Sequence, residues 1–244
     1  MLGPRSNPDE DWVAEVVGCS LERAEQATNE IINHGATINE LCENISRTGR
    51  TYYAQFPAPI ELFAFVRLAS PETLVESGVA SGVSSTFMLL GTLANKSGRL
   101  HSIDLPVVRD KEKGSLSWAI PRELSSGWAV PGAVRGDWDI RLGRSEDLLR
   151  PLCDELGFVD LYCHDSPISA KHFGFEMRAI TKHLRPGSLV VADNTNADKG
   201  AFSSLAERVG THPIYRRKSE VGAFRVPGDS TNGKTRPECG FLES

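Results

Sequence analysis

The sequence lacks any apolar run long enough to cross a bilayer, and its first ten residues, Met1 to Glu10, are polar with two prolines and no apolar signal core. A spanning helix takes about 20 mostly apolar residues, so neither secretion nor membrane embedding is expected, and a cytoplasmic setting is. Cysteine is sparse and unpatterned. Cys19, Cys42, Cys153, Cys163 and Cys239 are odd in number, and no two stand in a C-x-x-C spacing. That argues against a disulfide framework and against a zinc cage. An excess of positive charge is also missing: 27 Lys and Arg face 32 Asp and Glu, a formal net charge of −5. Such a balance argues against nonspecific attraction to nucleic acid or to an anionic membrane.

What is present is ordinary globular material, with 40% apolar and 24% charged residues over 244 positions. At roughly 150 residues per domain, that is one large domain or one domain with an appendage. Residues 9–50 read as helical. Trp12, Val13, Val16 and Val17 make one apolar face, which Gly18 ends. Ser20 suits the N-cap of a second helix bearing Leu21, Ala24, Ala27, Ile31 and Ile32, and residues 37–45 suit a third. Pro57 and Pro59 mark a boundary before a helix over 60–68. These segments carry no concentrated chemistry and read as packing or homodimer-forming helices. The expected organisation is an N-terminal helical cap (1–56), a main domain (57–228) and a polar tail rich in Gly, Pro and Thr (229–244).

From Thr73 the texture changes. Short apolar stretches at 73–77, 99–104, 138–142, 159–163 and 188–192 alternate with helical patterns at 86–94 and 173–183. Strands alternating with helices imply parallel crossovers. The expected fold is therefore α/β: a Rossmann-like three-layer α/β/α sandwich, mostly parallel, closed by an antiparallel hairpin at 214–217 and 223–226. The run Arg216-Arg217-Lys218 reads as a solvated hairpin edge. The long connection from Asp104 to Trp138, with Trp118 and Trp128, reads as either a lid or a surface excursion.

Ligands of open parallel sheets bind beyond the carboxyl ends of the strands, at the switch point. Those ends place Glu76 to Ser84, Asp104, Gly143 to Glu146, His164 to Ser166 and Asp193 to Asn196 on one edge. The first loop is Glu76-x-Gly78-x-x-x-Gly82-x-Ser84, in which glycines allow close backbone approach ahead of a helix N-terminus. It is neither G-x-G-x-x-G nor a Gly-Lys-Ser/Thr phosphate loop. Asp104 ends the next strand, where a carboxylate can accept both hydroxyls of a ribose.

At these residues the chain resembles the class I S-adenosylmethionine-dependent methyltransferases. Val75-Glu76-Ser77-Gly78-Val79-Ala80-Ser81-Gly82-Val83-Ser84 is similar to their motif I, and Leu100-His101-Ser102-Ile103-Asp104-Leu105-Pro106 to the acidic motif after it. The resemblance continues through Gly143-Arg144-Ser145, Val159-Asp160-Leu161-Tyr162-Cys163-His164-Asp165-Ser166 and Leu184-Arg185-Pro186-Gly187 to Asp193. It covers residues 55–226 and is nearest to small-molecule O-methyltransferase-like proteins with an H-D-S motif after the fourth strand. It implies S-adenosylmethionine held by Gly78, Gly82 and Ser84 at the methionine end, Asp104 at the ribose and Ser145 at the adenine, with Asp165 beside it and Glu76 bracing the loop. It also implies a small-molecule acceptor.

Asp165, Asp193 and Asn194 all offer oxygen ligands, which suit a hard cation such as Mg²⁺. The pattern resembles the metal site of catechol and caffeoyl-coenzyme A O-methyltransferases, where the cation binds the acceptor oxygens. Those enzymes place a lysine base where Ile168 stands here, and the H-D-S subgroup places His and Tyr where Ile168 and Ala170 stand. The candidate bases are therefore His164, Lys171 and His172, with Asp165 catalytic as a cation ligand. Two rivals remain: a noncatalytic S-adenosylmethionine-binding protein on the same fold, and a nicotinamide oxidoreductase, which would share Asp104 but needs the absent dinucleotide fingerprint. A nucleic-acid methyltransferase is disfavoured by charge and by the lack of an Asn/Asp-Pro-Pro-aromatic motif.

Overall fold

The computed structural model describes residues 7–48, 56–106, 108–109, 120–121, 123–166 and 169–228. The expected tail over 229–244, Trp118 and Ile168 lie outside these. Four helices come first: α1 (Glu10–Val17), α2 (Leu21–Asn29), α3 (Gly35–Arg47) and α4 (Pro59–Ala69). Then follow β1 (Thr73–Ser77), α5 (Val83–Asn95), β2 (Arg99–Asp104), β3 (Val108–Arg109), β4 (Ile120–Pro121), β5 (Trp138–Leu142), α6 (Ser145–Leu156) and β6 (Val159–His164). The chain continues through α7 (Ala170–Ile180), β7 (Leu184–Ala192), α8 (Lys199–Arg208), β8 (Ile214–Tyr215) and β9 (Gly222–Arg225).

The main sheet is seven-stranded in the order β5-β2-β1-β6-β7-β9-β8. Its pairs from β5 to β7 are parallel, and β9 pairs antiparallel with both β7 and β8. The order reverses at β1, whose sequence successor β2 lies on one side and β6 on the other. The loops leaving β1, β2 and β6 therefore diverge there and leave a crevice.

Side-chain alternation divides the core between the two faces of the sheet. Leu74, Leu100, Leu161 and Leu189 join Phe63, Met88 and the N-terminal helices in one cluster. Val75, Ile103, Tyr162 and Val190 join Leu149, Phe173 and Phe202 in the other. Trp12, Val13, Val16 and Val17 of α1 belong to the first cluster, so these helices complete the core that β1 also uses. Among the described residues no helix is long and apolar enough to cross a membrane.

The differences from expectation have local causes. Strand β7 starts four residues early, at Leu184, and runs through Arg185-Pro186-Gly187. Its pairing with β6 jumps from Val159↔Leu184 to Leu161↔Leu189, and this bulge keeps Pro186, which has no N–H to donate, out of the ladder. Ser188 holds the bulge by donating to the Val159 carbonyl at 2.6 Å. Helices α6 and α8 fall in stretches without a sequence assignment; α6 contains Pro151 in its interior, a residue that normally ends a helix. In the basic run, Arg217 and Lys218 are exposed as expected, but Arg216 is buried. Its Nε meets Glu61 Oε1 at 2.7 Å, tying the last hairpin to α4. Trp12 adds a second tie, donating Nε1–H to the Ile214 carbonyl at 2.9 Å.

Arg216→Ala would strand the Glu61 carboxylate in the core. The expected cost is about 3–5 kcal/mol, the range for breaking one side of a buried pair. Urea unfolding reads it as a lower midpoint at unchanged slope; a loss under about 1 kcal/mol would rank the pair with ordinary surface bridges.

Candidate functional site

The loop after β1 is fixed from three sides. Gly78 donates its N–H to the Ile103 carbonyl at 2.9 Å, and Val79 N–H donates to Asp104 Oδ1 at 3.0 Å, so the glycine turn and the strand-two carboxylate are in direct contact. Gly78 has φ +88°, and a Cβ there would lie 1.9 Å from the Asp165 carbonyl oxygen. Gly82 has φ +91°, and its Cβ would lie 2.3 Å from Val130 Cγ2. At both positions glycine is required by the approach of another protein segment, the β6 loop at one and residues 125–131 at the other.

That second segment is a strap. Gly127 N–H donates to the Ala80 carbonyl at 2.8 Å and Ala129 N–H to the Ser81 carbonyl at 3.1 Å. Ser126 Oγ donates to Asp104 Oδ2. Asn44 of α3 donates to the Ala129 carbonyl at 3.1 Å, joining strap and N-terminal helices. Trp128 is half-buried against the first core cluster.

Glu76 is wholly buried on the α5 face of β1 and accepts three hydroxyl bonds. Ser84 donates at 2.5 Å, Ser85 at 2.7 Å and Ser102 at 2.7 Å. Ser84, expected at the methionine end, thus has its hydroxyl on Glu76. Burial pushes the Glu76 carboxyl up to about 7, against the lowering effect of these hydroxyls.

Asp165 and Asp193 leave adjacent parallel strands, where Asp193 N–H donates to the His164 carbonyl at 3.0 Å. Burial, then the Asp193, Glu76 and Asp104 charges, drives the Asp165 carboxyl well above its usual range. Burial raises Asp193 as well, against the pull of Asn194 and His164. Among the described residues no Lys or Arg forms an ion pair with Glu76, Asp104, Asp165 or Asp193, and no group of three or more His, Cys, Asp and Glu is arranged to hold a metal. Asn194, at φ +55°, donates Nδ2–H to Asp193 Oδ2 at 3.0 Å and keeps its amide oxygen for another partner. Two carboxylates and an amide oxygen, completed by water, still fit Mg²⁺, which retains several waters when bound.

The expected bases differ in setting. His164 is buried, its Nδ1 2.6 Å from Glu176 Oε2 and its ring edge-on to Phe173. Lys171 is exposed on the first turn of α7. His172 has Glu146 at Nδ1 and Glu176 at Nε2, while Ser145, expected at the adenine, is 3.1 Å from that same Nε2. Glu176 itself carries no motif. Its only sequence signal is position: a carboxylate on the same helical stripe as Phe173, Met177 and Ile180, where an apolar residue belongs.

Residues 75–195 match the family model described as a methyltransferase domain. The stretch runs from β1 to just past β7 and includes Glu76, Asp104, Ser145, Asp165, Asp193 and Asn194. The match makes this stretch similar to a methyltransferase domain over 121 of the 244 residues. No curated protein matches the sequence. Among solved structures, the O-methyltransferase NovP is 14% identical, with a TM-score of 0.55 over 69% of this chain and 79% of that one. The O-methyltransferase from Bacillus cereus in complex with S-adenosylhomocysteine is 14% identical, with a TM-score of 0.50 over 89% of this chain and 96% of its own. The apo structure of CalS11, a TDP-rhamnose 3'-O-methyltransferase, is 15% identical, with a TM-score of 0.50 over 84% and 93%. At these identities the likeness is one of fold.

The root of the Gly78 turn carries a pH signature in Glu76. Its folded carboxyl, near 7, lies above the ordinary 4.5. Between those values the folded chain holds a proton that the unfolded chain has released. Stability therefore falls as pH rises through the window and levels off above it. Glu76→Gln, neutral throughout, is expected to recover about 3 kcal/mol of that fall. Urea unfolding at several pH values tests this through the wild-type-minus-variant difference; parallel curves would show that Glu76 does not titrate there.

Proposed function

We propose that this chain transfers the methyl group of S-adenosylmethionine to an oxygen of a small molecule, with Asp165, Asp193 and Asn194 as the ligand set of a hard divalent cation. One observation carries the reading. Four carboxylates converge on the crevice around the Gly78 turn, and among the described residues none is ion-paired with a Lys or Arg. The Asp193, Glu76 and Asp104 charges all push the Asp165 carboxyl up, and a ligand bearing a sulfonium and an ammonium supplies positive charge there.

In this reading the backbone at Gly78 and Gly82 holds the methionine end, the Asp104 carboxylate accepts from the ribose, and Ser145 borders the adenine. The bound cofactor supplies an electrophilic methyl group on sulfur. Glu76 is a brace: it locks Ser84 and Ser85 at the start of α5 and Ser102 on β2, so the turn between them keeps its shape. Of the expected bases, His164 is enclosed, Lys171 lies out in solvent and His172 is held between two carboxylates. We place Asp165 at the acceptor oxygen. Asp165, Asp193 and Asn194 would hold the cation, which would supply Lewis acidity toward an acceptor hydroxyl. In-line displacement asks little covalent work of the protein, so positioning supplies the rate. The four free cysteines among the described residues, Cys19, Cys42, Cys153 and Cys163, accord with a cytoplasmic setting.

Titration calorimetry should detect S-adenosylhomocysteine binding and no NADH binding; the reverse result would end this reading in favour of an oxidoreductase. Asp104→Ala is expected to weaken S-adenosylhomocysteine by about 10- to 100-fold, the worth of hydrogen bonds to a charged group. Asp193→Ala should keep cofactor affinity within about threefold while abolishing any Mg²⁺ stimulation of turnover, since it removes a cation ligand and no expected cofactor contact. Full Mg²⁺ stimulation in Asp193→Ala would remove the cation from the scheme.

A further inference from the structure

On the face of the sheet opposite Glu76, a second carboxylate gathers the site from below. Glu176, on α7, is wholly buried. Its Oε2 accepts from Ser77 Oγ at 2.7 Å, Tyr162 OH at 2.9 Å, His164 Nδ1 at 2.6 Å and Ser166 Oγ at 3.0 Å. Its Oε1 meets His172 Nε2 at 2.9 Å. Ser77 ends β1, immediately before Gly78. Ser166 follows Asp165, and the 165–166 backbone is what Gly78 packs against, with a virtual Cβ 2.9 Å from Ser166 N. His172 extends the network to a third loop, because its Nε2 lies 3.1 Å from both Ser145 Oγ and Ser166 Oγ and its Nδ1 lies 3.1 Å from Glu146 Oε1.

The geometry points to His172 as a positioning residue for the cofactor, a cationic clamp that draws the loops after β5 and β6 onto Glu176 and releases them when it loses its proton. This rests on the reading of the crevice as the S-adenosylmethionine site, with Ser145 at its adenine side.

Both ring nitrogens of His172 face carboxylate oxygens. A neutral imidazole would have to turn one lone pair towards a carboxylate, either Glu146 at 3.1 Å or Glu176 at 2.9 Å, so the contacts select the imidazolium. The direction of its proton affinity agrees. The Glu176 hydrogen bond raises it, burial opposes this, and Glu146 raises it further. Glu176 is correspondingly held well below the carboxylate range: burial pushes it up, but His164 and His172 more than offset that. The charged and titratable groups facing the clamp are Glu146 on α6, with the Arg144 guanidinium on the same Oε1 at 3.1 Å, Glu176 on α7, and His164 and Tyr162 of β6 across the Glu176 carboxylate. His172 is the member that is only partly buried, 13% exposed at its side chain, so its proton exchanges with solvent without unfolding the core.

Calorimetric affinity for S-adenosylhomocysteine, measured from about pH 6 to about pH 9, tests the clamp, because a raised imidazole releases its proton in that range. Wild-type Kd is expected to rise about tenfold across it, the equivalent of one charge-assisted hydrogen bond lost. His172→Gln, which reaches Glu176 without a charge, should bind about tenfold more weakly at the low end and lose the tenfold rise, keeping only the part that Glu76, near 7, contributes. Glu146→Gln, at an exposed carboxylate, should shift the midpoint of the wild-type profile to lower pH. In turnover, the His172→Gln loss should appear in the KM for S-adenosylmethionine, with kcat and the acceptor KM unchanged; a residue that only stabilised the fold would not separate these. A flat wild-type profile, a His172→Gln that keeps the full tenfold rise, or an unmoved midpoint in Glu146→Gln overturns the clamp while the methyltransferase reading stands. Failure of the wild type to bind S-adenosylhomocysteine at every pH overturns both.

Discussion

Two carboxylates are wholly buried at the end of β1, one on each face of the sheet, and the crevice depends on their opposite treatment. Glu76 receives three hydroxyl donors and, among the described residues, no cation, so burial wins and its carboxyl rises to about 7. Glu176 receives two imidazoles as well as hydroxyls, and its charge is kept. Both bind the strand through adjacent positions, since Glu76 belongs to β1 and Ser77, next in sequence, donates to Glu176. Strand alternation sends consecutive residues to opposite faces. Two successive residues thus anchor β1 to α5 on one side and to α7 on the other, immediately before the turn at Gly78. A loop that must hold a ligand without an enclosing wall needs a rigid root, and these anchors provide one.

The strap over residues 125–131 imposes the complementary constraint from above. Its backbone hydrogen bonds to Ala80 and Ser81 cover the outer side of the glycine turn, and Ser126 takes one oxygen of Asp104. The turn is thereby held between the strap and the β6 loop. Because Asn44 of α3 reaches the same strap, the N-terminal helices are mechanically continuous with the crevice. They also share the hydrophobic cluster of Leu74 and Leu100. Packing that joins the N-terminal region to the strands bearing the site gives those helices a role in its geometry.

Much of this was legible in the residues. Strands β1 and β2 fall at 73–77 and 99–104, as the apolar stretches predict, because both are short, buried on two faces and bounded by turn residues. The contact between the Gly78 turn and Asp104 follows from adjacent parallel strands. Other features depend on partners far away in sequence. The β7 bulge around Pro186 depends on Val159 and Ser188 meeting across strands. Burial of Arg216 depends on Glu61, 155 positions away. The glycines at 78 and 82 were readable as sites of close approach, but what approaches them in the folded chain is Asp165 and Val130, which spacing along the sequence cannot express. Glu176 is hardest of all, since a glutamate on an apolar stripe becomes meaningful only when its five donors converge.

That convergence bears on why the network persists. Replacing a buried ionic cluster with apolar residues of similar volume is often neutral or stabilising by about 1–4 kcal/mol. Stability alone therefore gives no reason to keep a carboxylate and two imidazoles where Phe173, Met177 and Ile180 already form a packed stripe. A cluster of that kind does provide direction: hydrogen bonds fix where Ser77, Ser145 and Ser166 sit, whereas apolar contacts would let them slide. Directional fixing is worth its cost at the base of loops that border a crevice at the switch point of the sheet. The same reasoning explains why one member reaches solvent. A wholly enclosed network would be static, and the partial exposure of His172 gives the protons of the bath a route to the loops after β5 and β6.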